Sequence, residues 1–235
     1  RHQDDAEVRA STSGAVFAAL SDYVLDCGGT VYGAGFGDHF RVIHKRASDK
    51  HQRDEFRRSK YVQSDMEDIF RRVREDLKTG IPVLFTGTPC QTAGLRSYID
   101  GKLAENLYLA DIVCHGTPSP AVWDSYLSWR EDLAGGKAKN VIFRDKSFGW
   151  RISRETIEFE DRNVSSRSYN HLFYQNIMMR ESCGVCPFAS VYRPSDLTMA
   201  DYWRKDKTCP DFASDNLGCS LVLCSTEKGR ELMNE

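Results

Sequence analysis

Two of the chain's eight cysteines, Cys183 and Cys186, stand in C-x-x-C spacing. That spacing lets two thiolates bind one metal centre, or pass between dithiol and disulfide. Alone it serves a metal site, a redox pair or neither. Cys90 follows a short apolar run in GTPCQ, and Cys114 closes another in DIVCHG. If both runs are parallel strands, both thiols fall at the carboxyl edge of one sheet, where ligands of α/β folds gather. Four thiolates then have a place to converge. Zinc sites with four cysteines usually draw on two close pairs, and only one pair is close here. Iron–sulfur clusters accept scattered ligands provided the sulfurs converge. A different chemistry is open to Cys90, as a helix-N-terminal nucleophile with His115 as its base, although no third member completes it. Cys27 reads as a helix-end residue, and Cys219 and Cys224 read as small hydrophobes flanking a buried strand. Cys209 precedes Pro210 in a polar loop, and Cys-Pro pairs occur in iron–sulfur signatures.

The elements that must position these thiols follow from apolar periodicity and its punctuation. Helices are expected over 14–27, 64–80, 90–99, 119–133 and 170–180, and strands over 30–36, 40–44, 82–85, 107–113, 141–143, 152–159, 197–200 and 220–224. The first helix stops at Gly28 and Gly29, and Gly37 with Asp38 signals a hairpin between the first two strands. Ser64 and Glu67 have capping-box spacing ahead of the second helix. Strand 82–85, helix 90–99 and strand 107–113 form a βαβ unit with short connections, which requires a parallel strand pair. The expected fold is α/β: a mixed, partly parallel sheet with flanking helices and a cysteine-bearing cluster lobe around 170–215, all in one domain over 1–235.

Composition narrows the classes. Lys and Arg number 32 against 34 Asp and Glu, a net charge of -2, which argues against a general nucleic-acid binder. Hydrophobic residues are 40% and charged ones 28%, enough for a core and too apolar for a disordered chain. No apolar run approaches the length of a membrane helix. Positions 41–74 hold eleven basic residues against six acids, and Arg71, Arg72 and Arg74 read as a solvated face. The chain opens at Arg1 with polar residues and no secretory leader, so reduced thiols and a cytoplasmic setting are expected. It is also expected to be an excerpt of a longer polypeptide.

These residues carry a resemblance. GTPCQTAGL, ADIVCHGTPSPAVWDSYL, FRDKSFGW, RESCGVCPF and DLTMADYW, in that order, resemble the beta subunit of coenzyme F-420 hydrogenase/dehydrogenase. The likeness runs from SGAVFAAL, through GGTVYGAGF and SKYVQSD, to GCSLVLCSTEKG, nearly the whole chain. It implies an iron–sulfur flavoprotein with FAD beside a 4Fe-4S cluster, and Cys90, Cys114, Cys183 and Cys186 as ligands, the set the topology also suggests. It implies, less directly, a flavin pocket lined by Ser59, Lys60, Tyr61, Gly87, Thr88, Pro89, Arg144 and Lys146. There Lys60 and Lys146 would offset pyrophosphate charge, and the Gly87 amide and Thr88 hydroxyl would donate to it. Trp150 and Trp203 are candidates to cover the isoalloxazine, and Asp201 for a polar contact. Departures bear on the pocket: Ala15, Ala200 and Arg204 stand where the family pattern has glycine, and these side chains would crowd a loop near the cofactor or substrate.

The resulting expectation is an FAD- and 4Fe-4S-dependent oxidoreductase. A ferredoxin-like donor, or a ferredoxin-type module upstream, would supply electrons, and a small-molecule hydride acceptor such as a deazaflavin coenzyme would leave with them. No catalytic acid is assigned; Lys60 and His115 are the candidates for proton donation. Two other classes compete: a zinc-stabilised, non-enzymatic binding module, and a thiol-disulfide oxidoreductase using Cys183 and Cys186. No nucleic acid and no membrane span enter any of these readings.

Overall fold

The computed structural model describes residues 1–212 and 215–235. Nine strands are present among them: β1 (Thr30–Phe36), β2 (Val42–Ala47), β3 (Val83–Gly87), β4 (Leu107–Ile112), β5 (Asn140–Ile142), β6 (Glu155–Glu158), β7 (Asn163–Ser166), β8 (Leu197–Asp201) and β9 (Ser220–Cys224). Six form one sheet in the order β2-β1-β3-β4-β8-β9, and the other three form a second, β5-β6-β7. Within the large sheet β1, β3, β4 and β8 are mutually parallel, and β2 and β9 run antiparallel at its two edges. The expected mixed, partly parallel α/β architecture is therefore the observed one.

Side-chain alternation explains why helices cover both faces. On one face Val31, Leu84, Ala110 and Leu197 pack with Leu20 and Val24 of helix Val16–Asp26. On the other, Tyr32, Val83, Phe85, Leu107 and Leu109 pack with Ile69, Val73 and Leu77 of helix Ile69–Lys78, and with Leu95 of helix Pro89–Tyr98. Strands buried on both faces read as nearly continuous apolar runs, as PVLF does and LYLADI does up to the buried Asp111. Each fully buried Leu or Phe contributes about 1.5–3 kcal/mol. Trp123, Tyr126 and Leu127 of helix Pro120–Ala134 meet Val141, Phe143, Ile157 and Tyr169 in a separate core against the small sheet.

Several local expectations change. Helix Ile69–Lys78 starts well after Ser64, because the Ser64 hydroxyl is engaged by the His44 ring (2.8 Å) and the Gln91 amide (2.8 Å) rather than by a helix terminus. β2 begins at Val42, not at residue 40, since Asp38–Phe40 forms a tight 3₁₀ turn with His39 and Phe40 at positive φ. The expected helix over 170–180 is shorter, Ser168–Tyr174. Cys183 lies in a separate helical turn, Glu181–Gly184, rather than in a loop. β7 (NVSS) is an addition, lacking the apolar run that marks the other strands. Cys219 is buried; Cys224 is exposed because β9 is the sheet's edge strand, and Cys27 is exposed at the C-cap of helix Val16–Asp26. No described helix is long and apolar enough to cross a membrane.

Candidate functional site

β3 and β4 pair in register from Val83 with Leu107 to Gly87 with Asp111, so their carboxyl ends lie side by side. Beyond β3, Thr88 caps helix Pro89–Tyr98: its amide donates to Gln91 Oε1 (2.9 Å), and Pro89 fills the first helical position, where no amide is needed. This sets Cys90 in the first turn, with its Sγ 3.1 Å from Thr88 Oγ1. Beyond β4, Cys114 is followed by Gly116, whose φ is +141°. A Cβ on Gly116 would stand 2.6 Å from Met179 Sδ and 3.5 Å from Cys183 Cβ. Only glycine permits that approach, which brings the Cys114 loop against the segment bearing Cys183. Pro118 and Met179 form a bridge that joins the same two segments.

The four predicted thiols share one electrostatic neighbourhood. Burial pushes the Cys114 thiol up to about 11, and the charges of Cys90, Cys183 and Cys186 add to the rise. Among the described residues, no three His, Cys, Asp or Glu side chains gather closely enough to hold a single metal ion.

One buried guanidinium ties the two cysteine-bearing segments together. Arg193 donates to the carbonyls of Phe188 (2.8 Å) and Ile112 (2.8 Å), and to Thr198 Oγ1 (3.2 Å). Its Nη2 also lies 3.1 Å from a carboxylate oxygen of Asp111. Asp111 is wholly buried and accepts no aligned hydrogen bond, so Arg193 supplies its countercharge. The sequence held no local sign of this clamp, because its partners are distant in the chain.

Cys90, Cys114 and Cys183 line a cleft of about 790 Å³, within the usual range for a small-molecule site. Ser59, Lys60, Tyr61, Gly87, Thr88, Arg144 and His115 also line it, whereas Cys186, Pro89 and Lys146 do not. Lys60 donates to the Arg57 carbonyl (2.8 Å), and burial, then the nearby Arg58 charge, lowers its ammonium to about 7. Lys146 turns toward the Val8 and Ser13 carbonyls; burial, with Arg144 nearby, lowers it to about 8. His115 is exposed and rests near the rings of Phe173 and Tyr174.

A further wall is built on Asp201. One carboxylate oxygen pairs with Arg144, and the other accepts from Trp150 Nε1 (2.9 Å). Trp150 stacks on Trp203 at 4.9 Å, and the Arg144 guanidinium sits 4.8 Å from the Trp203 ring centre. Asp201 thus orients Arg144 and Trp150, and of the two tryptophans only Trp203 reaches the cleft. Ala15 also lines the cleft, at φ 65°, in the left-handed region; Arg204 is exposed and crowds nothing. His44 and Gln91 are cleft residues that the sequence did not single out, and Ser64 is one that it marked only as a helix cap.

The cleft opens at the carboxyl edge of the parallel strands, the edge at which α/β folds bind their ligands. Residues 82–235, more than half of the chain, match the family described as the C terminus of the coenzyme F420 hydrogenase/dehydrogenase beta subunit, and the chain belongs to that family. The fold is also similar to a chain of the F420-reducing [NiFe] hydrogenase complex from Methanosarcina barkeri, at a TM-score of 0.67 and 18% identity. That alignment covers 100% of this chain and 76% of the other. No curated protein matches the sequence.

Proposed function

We propose that this chain is an electron-transferring oxidoreductase subunit that holds a 4Fe-4S cluster beside FAD and passes electrons on to a small-molecule hydride acceptor of the deazaflavin kind. The observation that carries this reading is that Cys90, Cys114 and Cys183 line one cleft, with Cys186 three residues further along the chain from Cys183. The donor set fits the cluster. Around one tetrahedral zinc, sulfurs stand only about 3.8 Å apart, and no such tight group is present among the described residues. Zinc sites with four cysteines usually draw on two close pairs, and here only Cys183 and Cys186 form one, so the zinc-module reading is the less favoured. When bound, the cluster supplies single-electron transfer, and FAD the interchange between one- and two-electron chemistry.

In this reading the chain's own residues bind, orient and move protons. Cys90, Cys114, Cys183 and Cys186 hold the cluster. Gly87, just ahead of a helix N-terminus, lines the cleft where an anionic group would lie, and Thr88 beside it gives its own amide to Gln91. Ser59, Tyr61 and Arg144 line the remaining surface proposed for the flavin, while Pro89 and Lys146 lie outside that lining. Lys60 titrates near neutrality, so a bound anion would recharge it and make it a proton source at the cleft. His115, exposed at the rim, is the alternative source. Electrons are supplied by a ferredoxin-like donor or by a ferredoxin-type module upstream in the polypeptide, in a cytoplasmic setting.

Purification without oxygen, with iron, sulfide, zinc and flavin analysis and a visible spectrum, tests this. About four irons per chain are expected, with flavin bands, and Cys114→Ala should lose most of the iron. Zinc without flavin, or two titratable thiols and no metal, would overturn the proposal in favour of a zinc module or a thiol-disulfide enzyme.

A further inference from the structure

A hydrogen-bonded chain of determined polarity leads from a buried histidine to one of the four thiols. His44 Nε2 lies 3.0 Å from the Thr86 carbonyl, which can only accept, so Nε2 carries the proton. Nδ1 is then an acceptor and takes the Ser64 hydroxyl proton at 2.8 Å. With its proton committed, Ser64 Oγ accepts from Gln91 Nε2 at 2.8 Å. That fixes the orientation of the Gln91 amide, whose Oε1 accepts from the Thr88 amide (2.9 Å) and from Thr88 Oγ1 (3.0 Å). Thr88 Oγ1 is in turn 3.1 Å from Cys90 Sγ. Burial lowers His44 to about 4, so the imidazole stays neutral and the polarity holds at ordinary pH.

The last link depends on the state of Cys90. As a thiol it has a proton to give to Thr88. As a ligand thiolate it has none, and the contact persists only if Thr88 donates. Thr88 has one hydroxyl proton and then faces two acceptors, Gln91 Oε1 and the Cys90 sulfur. We infer that the Thr88 hydroxyl tunes the centre held by Cys90, and that Gln91, oriented through Ser64 and His44, competes for its proton. A donor on a ligand sulfur favours the more negative, reduced state and raises the midpoint potential. The inference rests on the cluster assignment above and adds to it a set of positioning residues that do not themselves bind metal.

The test is a spectroscopically monitored redox titration of the anaerobically reconstituted full chain, with iron and sulfide measured in every sample. Thr88→Val, which keeps the shape and removes the hydroxyl, should lower the midpoint potential. Thr88→Ser should restore it, and Gln91→Leu, which removes the competing acceptor, should raise it. General loosening of the site would not give shifts of opposite sign. Unchanged potentials at full iron content would overturn the inference while leaving the cluster assignment standing. If Thr88→Val loses its iron, Gln91→Leu decides, and no rise there overturns the inference. A wild-type chain that takes up no iron removes the assignment and the inference together.

Discussion

Lys60 illustrates how burial converts an ordinary side chain into a titrating one. Its ammonium lies near 7 in the folded protein, against an ordinary value of 10.5. The unfolded chain therefore binds the extra proton between about pH 7 and 10, and stability must rise with pH across that window. Below it, the cost of burying the charge is fully present. Lys60→Met should raise stability at pH 7 and flatten the rise toward pH 10, as measured by urea unfolding at both ends. A second residue-scale case is Ala15, held at φ 65° and ψ 26° at the start of helix Val16–Asp26. A left-handed conformation costs a residue with a Cβ about 1–2 kcal/mol, of which glycine's greater freedom when unfolded returns part. Ala15→Gly should therefore stabilise the chain by about 0.5 kcal/mol. A lower unfolding midpoint would show that the Ala15 methyl packing against Val8 outweighs the strain.

Among the elements, the Arg193 clamp carries the largest expected effect. It joins the end of β4 to the segment after Cys186, and leaves Asp111 with a single countercharge. Removing one partner of a buried ion pair costs about 3–5 kcal/mol, because the other charge is stranded. Arg193→Met should destabilise the protein by that order in chemical denaturation. Pairing it with Asp111→Leu should recover a substantial part, since a buried pair replaced by apolar groups is often neutral. If the double variant were as unstable as the single one, the carbonyl contacts to Phe188 and Ile112 would be the larger contribution. The clamp also shows where the sequence stopped being readable. PVLF and LYLADI could be assigned as buried strands, and Cys90 and Cys114 placed at their ends, because apolar runs bounded by Gly and Pro are local signals. Ser64 misled as a helix cap because its hydroxyl serves His44 and Gln91, partners brought near only by tertiary folding. Arg193, His44 and Gln91 escaped notice for the same reason.

On the scale of the whole molecule, the mixed sheet was legible because a βαβ unit forces parallel pairing. The separate three-stranded sheet was only partly so, since β7 has the composition of a loop. The site divides likewise. Cys90 and Cys114 could be placed by the strand ends they follow, and Cys183 and Cys186 by their spacing, whereas the roles of Lys146 and Asp201 depended on which way each side chain turned. Lys146 bonds to the backbone carbonyls of Val8 and Ser13, and Asp201 serves Arg144 and Trp150.

The strand order has a consequence for biosynthesis. β8 joins the sheet beside β4, although the entire three-stranded sheet is synthesised between them. Cys90 and Cys114 therefore leave the ribosome well before Cys183 and Cys186, at synthesis rates of about 5–20 residues per second. During that interval the early thiols have neither their later partners nor the Arg193 tie. In the proposed reading, loading of a centre held by all four thiols is thus an event of the nearly finished chain.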